Sequence, residues 1–465
     1  MLSRRNPVQG LALLVSSVLL VAASTSNVFG QAGAGSAGIV VDAGGVLRMH
    51  TVQDPTGQLT KAQIDAAKAL RPGNLTAGAA LRYVSLNRLE EAVKAHMAGD
   101  RKPTDEMKYL AGLTKIKYVF LIPETRDIVV AGPAEGWYDD LSGRTIGQKS
   151  GRPVIELQDL VAAIRAFGPG QNKGPVVGCS IDPTQEGLQR MQEFLRNIGG
   201  GADPNNTQYT QYIVDGLRTN LGLQTVRIMG VAPTTHFAQV LIEADYRMKL
   251  IGIGLEPPQV KMTTFIEKAD PSTARNALMR WYFVPDYKCV RVAENGLAME
   301  LVGDGVKLVD EKEAVMADGK RTIAVGEKNR ASVLFTTAFT QKYPEIAAKK
   351  PIYAQLRNLI DITVAAAYMQ QNDYYGKAEQ PLAFFMSEET FPIQTYTEPK
   401  QVDTVVTSVW KGNRLLTPVA GGVTIQAKQA LATDNQIDDQ DGKTAKAHEA
   451  VKLSNLKPGQ WWWDN

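Results

Sequence analysis

The clearest pattern along the chain is a pair of strand-like runs. Tyr118-Val119-Phe120-Leu121-Ile122 and Ile128-Val129-Val130-Ala131 are β-branched and apolar, and Pro123-Glu124-Thr125-Arg126-Asp127 between them is turn chemistry, so the segment predicts a hairpin. Helical periodicity predicts helices before it at Lys61 to Leu70, after Ser85 on the stripe Leu86, Leu89 and Val93, and over Asp105 to Gly112. A further amphipathic helix over Leu157 to Phe167 is ended by Gly168-Pro169-Gly170, and this Gly/Pro-rich stretch through Pro175 predicts a domain boundary.

The middle of the chain reads as strands alternating with helices. Val176 to Ile181 is a short apolar strand; Asp182 is placed to cap the next helix, with Pro183 at its first position and Gln185 at the third. Leu188, Met191, Leu195 and Ile198 form that helix's apolar stripe, and Gly199-Gly200-Gly201 ends it. A second helix over Gln208 to Leu221, a strand over Thr225 to Val231, a helix after Pro233 and a strand over Leu250 to Leu255 follow, which suggests a βαβ-like unit with a parallel pair. Arg280 to Val309 reads as antiparallel strands turning at Asn295-Gly296 and Asp304-Gly305.

Ile352 to Met369 is a long amphipathic helix on the stripe Ile352, Leu356, Leu359, Ile360, Val364 and Ala367, with Arg357 and Asp361 as an exposed i,i+4 pair. Beyond about residue 380, Val402 to Val409 and Val419 to Ile425 read as strands, and the polar stretch 433–448 as loose chain. The fold class is therefore α+β with mixed sheets, a central βαβ-like unit and a β-richer C-terminal part. The segments are an N-terminal domain over 39–170, a central one over 175–380 and a C-terminal one over 381–465.

The first 30 residues fit none of these. Arg4 and Arg5 precede the apolar run Leu11 to Ala23, and small residues follow around Gly30 and Ala32-Gly33-Ala34, which predicts a cleaved secretory signal peptide. The run is too short for a spanning helix, which needs roughly 20 residues. Pro7 and Val8 stand where a twin-arginine signal wants Phe and Leu, so the general secretory route is expected. Gly33-x-Gly35-x-x-Gly38 matches the dinucleotide-binding glycines only formally. It precedes a strand, Ile39-Val40-Val41, instead of following one, and 31–38 reads as a flexible leader.

Charge excludes more than it suggests. The 51 Lys and Arg, less Arg4 and Arg5, leave 49 against 48 Asp and Glu. Such a balance makes no electrostatic case for nucleic acid or an anionic membrane, and no membrane span is expected after signal cleavage. The two cysteines, Cys179 and Cys289, read equally as one disulfide of an exported protein or as two buried thiols.

Candidate chemistry is sparse. His50, His96, His236 and His448 are scattered, with no zinc-type spacing, and no phosphate-cradling or nucleophile-elbow string occurs, so neither a metal nor a cofactor is expected. An EF-hand alignment on Gly442 puts Ile437 and His448 at the positions that need acidic ligands, and fails. The best constellation is Cys179, Ser180, Asp182, His236 and Asp245. Cys179 ends a strand before a helix and His236 begins another, so neighbouring strands would set a nucleophile near a base. Asp245 cannot orient His236 from the same helix, because nine residues turn about 900° and point the two apart. It is expected to pair with Lys249, as Glu243 with Arg247. Each member of the constellation also has a plain structural role as cap, core residue or ion-pair partner. Glu135 and Trp137, on the loop Gly132 to Trp137, form a second candidate binding site, set against simple packing of the indole over the hairpin. The terminal Trp461-Trp462-Trp463 either docks a partner or membrane surface or tucks into the protein's own groove.

Several strings carry a family resemblance: Tyr83-Val84-Ser85-Leu86-Asn87-Arg88-Leu89, Ala131-Gly132-Pro133-Ala134-Glu135-Gly136-Trp137, Cys179-Ser180-Ile181-Asp182-Pro183-Thr184, Ala244-Asp245-Tyr246-Arg247-Met248-Lys249 and Leu356-Arg357-Asn358-Leu359. The chain resembles domain-of-unknown-function family 1598, exported proteins of planctomycete bacteria. The resemblance implies lineage and export and supplies no catalytic residue. The expectation is an exported, periplasmic or extracellular protein that is not an enzyme and binds an unidentified protein or envelope partner. The alternative is a hydrolase or transferase with a crevice near Cys179 and His236.

Overall fold

The computed structural model describes residues 35–70, 73–170, 176–198, 205–269, 277–286, 288–303, 305–315, 321–323, 329–379, 382–407, 409–411, 414–416, 422–454 and 456–464. The predicted signal peptide and the first part of the predicted leader lie outside them. The fold is α+β. Its larger sheet has nine strands in the spatial order Gly35–Val41, Val46–Gln53, Gln401–Val402, Gln224–Met229, Val177–Asp182, Gly422–Ile425, Ala277–Pro285, Val306–Val315 and Arg321–Ile323. A second sheet has seven, in the order Gln436–Ile437, Val290–Val292, Ala298–Leu301, Tyr118–Ile122, Asp127–Ala134, Ala79–Ser85 and Trp462–Asp464, and two further pairs of strands stand apart among the described residues. Both sheets are mixed, with parallel pairs where late strands insert beside early ones, as Gly422–Ile425 does against Ala277–Pro285. Each sheet thus draws strands from all three sequence segments.

The predicted hairpin is present, with Tyr118 opposite Ala131 and Ile122 opposite Asp127. Its alternation explains why it is apolar throughout. Val119, Leu121, Ile128 and Val130 face the main core, while Tyr118, Phe120, Val129 and Ala131 face a smaller cluster with Tyr83 and Trp463. The main core runs from the first of those faces through the helices Leu157–Ala166, His236–Gly252 and Pro351–Gln371 to the face of the larger sheet carrying Val177, Cys179 and Ile181. Ser85 caps its helix as expected, accepting from Arg88 N at 3.3 Å. No helix among the described residues is long and apolar enough to cross a membrane.

Several expectations are corrected. The central unit is not βαβ: Val177–Asp182 and Gln224–Met229 pair antiparallel. The chain between them makes two helices, Gln185–Ile198 and Thr207–Leu221, packed on each other, so it travels out and back and re-enters the sheet in the opposite sense. That helix pair is close: a Cβ on Gly216 would lie 2.0 Å from the Phe194 ring. Leu250 to Leu255 is not a strand but the end of helix His236–Gly252 and its exit, where Ile251 and Ile253 are buried. Helix Gln185–Ile198 starts after Thr184, whose Oγ1 accepts from Gly187 N at 3.0 Å, so Asp182 is not its cap. Strand Gly35–Val41 begins inside the stretch read as a flexible leader.

Arg357 and Asp361 do pair, at 3.6 Å, but largely buried, because helix Pro351–Gln371 is enclosed on nearly every side. Gly305 joins two different sheets and does not turn a hairpin. The polar stretch 433–448 is folded: it contains strand Gln436–Ile437 and most of helix Lys443–Glu449, with Asp439 accepting from Thr444 N and His448 Nε2 at 2.7 Å from Leu121 O. Of the two predicted C-terminal strands, Val419 to Ile425 is strand at all its described residues, Gly422–Ile425, whereas Val402 to Val409 is strand among its described residues only at its two ends, in Gln401–Val402 and Val409–Lys411.

Candidate functional site

Two helix starts build the site. Glu156 is the residue before helix Leu157–Ala166 and Asp159 lies in its first turn; carboxylates are favoured there by the helix dipole. His236 is the first residue of helix His236–Gly252, whose cap Thr235 accepts from Ala238 N at 3.2 Å. The two starts meet. His236 Nδ1 is 2.9 Å from Asp159 Oδ2 and 3.1 Å from Oδ1, and Nε2 is 3.7 Å from Glu156 Oε1. Glu156 makes no capping bond of its own; instead it accepts from Gln158 Nε2 at 2.6 Å.

Burial and the helix start both oppose a charged imidazole, yet Asp159 and Glu156 outweigh them. Burial draws the His236 pKa down and the two carboxylates raise it, to about 9. Burial pushes the Glu156 carboxyl up, against the opposing pull of His236. Beside them Arg144 donates to Glu243, to Gln355 Oε1 at 2.8 Å and to Ser142 Oγ at 2.8 Å. The Tyr396 ring lies 6.0 Å from the imidazole, and burial lifts its hydroxyl to about 12.

Glu156, Gln158, His236, Arg144, Glu243, Gln355 and Tyr396 line a cavity of about 910 Å³, with Asp159 behind the imidazole. Its wall also takes in Ile39 from strand Gly35–Val41, the basic pair Arg101 and Lys102, and Phe391 and Ile393. Glu156, Asp159 and His236 each present one atom able to ligate a metal, all within 4.8 Å of one another.

The constellation expected around Cys179 is not assembled at this cavity. Cys179 faces the main core from mid-sheet, fully buried, opposite Ile228 and Val423. Burial, with Asp245 nearby, raises its thiol well above the ordinary range. Its neighbours on the long helix are Asp245 and Lys249, and nine residues of helix separate Asp245 from His236 by about 13 Å along the axis. Asp182 pairs with Arg280 at 3.0 Å, and Asp245 with Lys249 at 2.8 Å as expected; Glu243 and Arg247 also pair, at 3.5 Å. Ser180 sits between Arg227 and Gly422 in the sheet. Cys179 and Cys289 are both free and buried in different sheet regions, so the disulfide does not form; burial lifts the Cys289 thiol to about 12.

Glu135 and Trp137 serve their own loop. Glu135 accepts from Lys149 N at 2.8 Å and Ser150 N at 3.2 Å, and Trp137 is fully buried with its ring 5.9 Å from Tyr109. Gly112 is required beneath them: its φ is +85°, and a Cβ there would lie 2.3 Å from Glu135 O and 2.9 Å from the indole. The terminal tryptophans tuck into the protein itself, with Trp463 stacked on Tyr83 at 5.3 Å.

Sequence reasoning found His236 and missed Glu156 and Asp159. Two acids at the start of an amphipathic helix read as ordinary dipole complements, and their partner lies 77 residues away from Asp159. The one available signal was their i,i+3 spacing, which puts both on one face.

No curated protein and no solved structure matches the chain. Over residues 179–265, which contain His236 and the strings Cys179 to Thr184 and Ala244 to Lys249, the chain matches the family described as "Protein of unknown function (DUF1598)".

Proposed function

We propose that this is an exported binding protein whose ligand is a small molecule held in the cavity beside His236. The observation that carries the reading is the placement of a largely buried imidazole, clamped by two carboxylates, in the wall of a 910 Å³ space. Ligand pockets typically span roughly 300–1,000 Å³ and combine apolar walls with a few fixed polar groups. Ile39, Phe391 and Ile393 supply the first; His236, Glu156, Arg101 and Lys102 supply the second. The site therefore suits a compact ligand with an apolar body and a polar end. Export rests on Arg4, Arg5 and the apolar run Leu11 to Ala23. A hydrolase working through Cys179 has no support in the geometry, since that thiol is sealed in the core away from His236.

The test is to purify the full chain from its own cells, denature it and identify by mass spectrometry the small molecules released. Gln239 lines the cavity, so Gln239→Trp narrows it. A molecule that is released stoichiometrically by the wild type and lost from a folded Gln239→Trp variant supports the reading. The same release from both overturns it.

A further inference from the structure

We infer that Glu156, Asp159 and His236 hold a first-row divalent metal ion, with its remaining coordination positions open to the cavity. The three donors come from two separate helix starts, and their ligating atoms already lie within 4.8 Å of one another. Both ring nitrogens of His236 face carboxylates, Nδ1 toward Asp159 at 2.9 Å and Nε2 toward Glu156 at 3.7 Å. Two carboxylates converge on one imidazole, with the side chains only 7–16% exposed, and a divalent ion would balance the carboxylates in place of the imidazole's proton. Neighbouring donors around zinc stand roughly 3–3.5 Å apart; Asp159 and His236 are already near that spacing at 2.9 Å, and binding closes the wider separations by up to about 1.5 Å, within reach of side-chain rotation.

The donor set selects the ion class. One imidazole nitrogen and two carboxylate oxygens suit zinc, manganese or ferrous iron; calcium and magnesium prefer all-oxygen shells, and cuprous copper prefers sulfur. Three protein ligands beside a large cavity form an open site, which leaves room for water or a ligand atom. Gln158, bonded to Glu156 at 2.6 Å, orients one ligand from behind. The inference shares its location with the small-molecule reading, so it is tested on protein freed of small molecules, where the two fail separately.

Chelator-stripped full-length protein is titrated with zinc and with manganese by calorimetry, and with cobalt(II) by visible absorption. The expected result is one equivalent bound, cobalt d–d bands from a protein-bound ion, and affinity reduced at least tenfold in His236→Gln, Asp159→Asn and Glu156→Gln. His50 is exposed on another strand, and His50→Gln should bind as the wild type does. Circular dichroism verifies that each variant is folded; if one is not, the remaining two carry the test. Absence of saturable binding, or binding unchanged in the folded variants, overturns the site and leaves the trio as an imidazolium held by two carboxylates.

Discussion

Arg82, fully buried in the seven-stranded sheet, is held by Asp464 near the end of the chain through two parallel hydrogen bonds, Nε to Oδ1 at 2.6 Å and Nη2 to Oδ2 at 2.8 Å. The same guanidinium donates to Ala111 O and lies 4.4 Å from the Trp462 ring. A bidentate pair of this kind fixes register as well as charge. It pins the last strand, Trp462–Asp464, against Ala79–Ser85, so the end of the chain closes a sheet begun near its start.

Asp464→Ala should therefore destabilise the fold although it removes only a terminal side chain. It strips the carboxylate from a buried guanidinium. Breaking a fully buried pair costs about 3–5 kcal/mol, and Asp464 is 37% exposed, so about 1–3 kcal/mol is expected. Urea unfolding followed by tryptophan fluorescence measures it. A midpoint equal to the wild type's would show that the strand is held by its backbone ladder and ring stacking alone.

Cys179 and Cys289 should be silent toward a thiol reagent in the native protein and both should react, without added reductant, once it is unfolded. Burial raises both thiols, so little thiolate is present to attack, and no disulfide withholds either one. His236→Ala should leave this unreactivity unchanged. Fast native labelling of Cys179 that depends on His236 would reinstate the crevice that the geometry rejects.

How far the sequence foretold this can be argued from particular residues. Local signals were reliable where one element decides its own form: the 118–131 hairpin, the Ser85 cap, and the Asp245–Lys249 and Glu243–Arg247 pairs all follow from spacing. Errors arose where tertiary surroundings decide. Ile251 to Ile253, the middle of the stretch Leu250 to Leu255, is buried, and an enclosed helix end has no polar face to reveal its period. Arg357–Asp361 has ordinary surface spacing and lies inside. Whether two strands run parallel depends on whether one helix or two intervene, which is a matter of topology. The His236 site was half legible for the same reason, since its carboxylates come from a different helix.

The proposed export makes its own prediction. Expressed with its full N-terminus in a bacterium, the chain should be recovered outside the cytoplasm, shortened by about 30 residues on N-terminal sequencing. Leu14→Arg with Leu19→Arg interrupts the apolar run and should leave the uncut chain inside. Uncut wild-type protein confined to the cytoplasm would remove the signal reading and with it the exported half of the proposed function.

The ion pair Asp245–Lys249 should prove costly to break and cheap to replace. Asp245 is fully buried, its Oδ1 has no hydrogen-bond partner among the described residues, and Lys249 sits 2.8 Å from Oδ2. Burial raises its carboxyl to about 6 and Asp182 adds to that, while Lys249 and Arg280 pull it down. An unfolded aspartate titrates near 3.8, so between about pH 4 and 6 the folded chain binds this proton more tightly. The group's contribution to stability is therefore greatest below pH 4 and is lost as the pH rises through 6. Asp245→Asn should abolish that fall, whereas Lys249→Met should cost about 3–5 kcal/mol above pH 6 by leaving the buried Asp245 carboxylate unpaired. Asp245→Leu combined with Lys249→Met removes both charges at similar volume and should come within about 1 kcal/mol of the wild type or exceed it. Urea midpoints of the two singles and the double, taken at pH 4 and pH 8, separate the terms. Additive losses would mean that the charges act independently, each satisfied by something other than its partner.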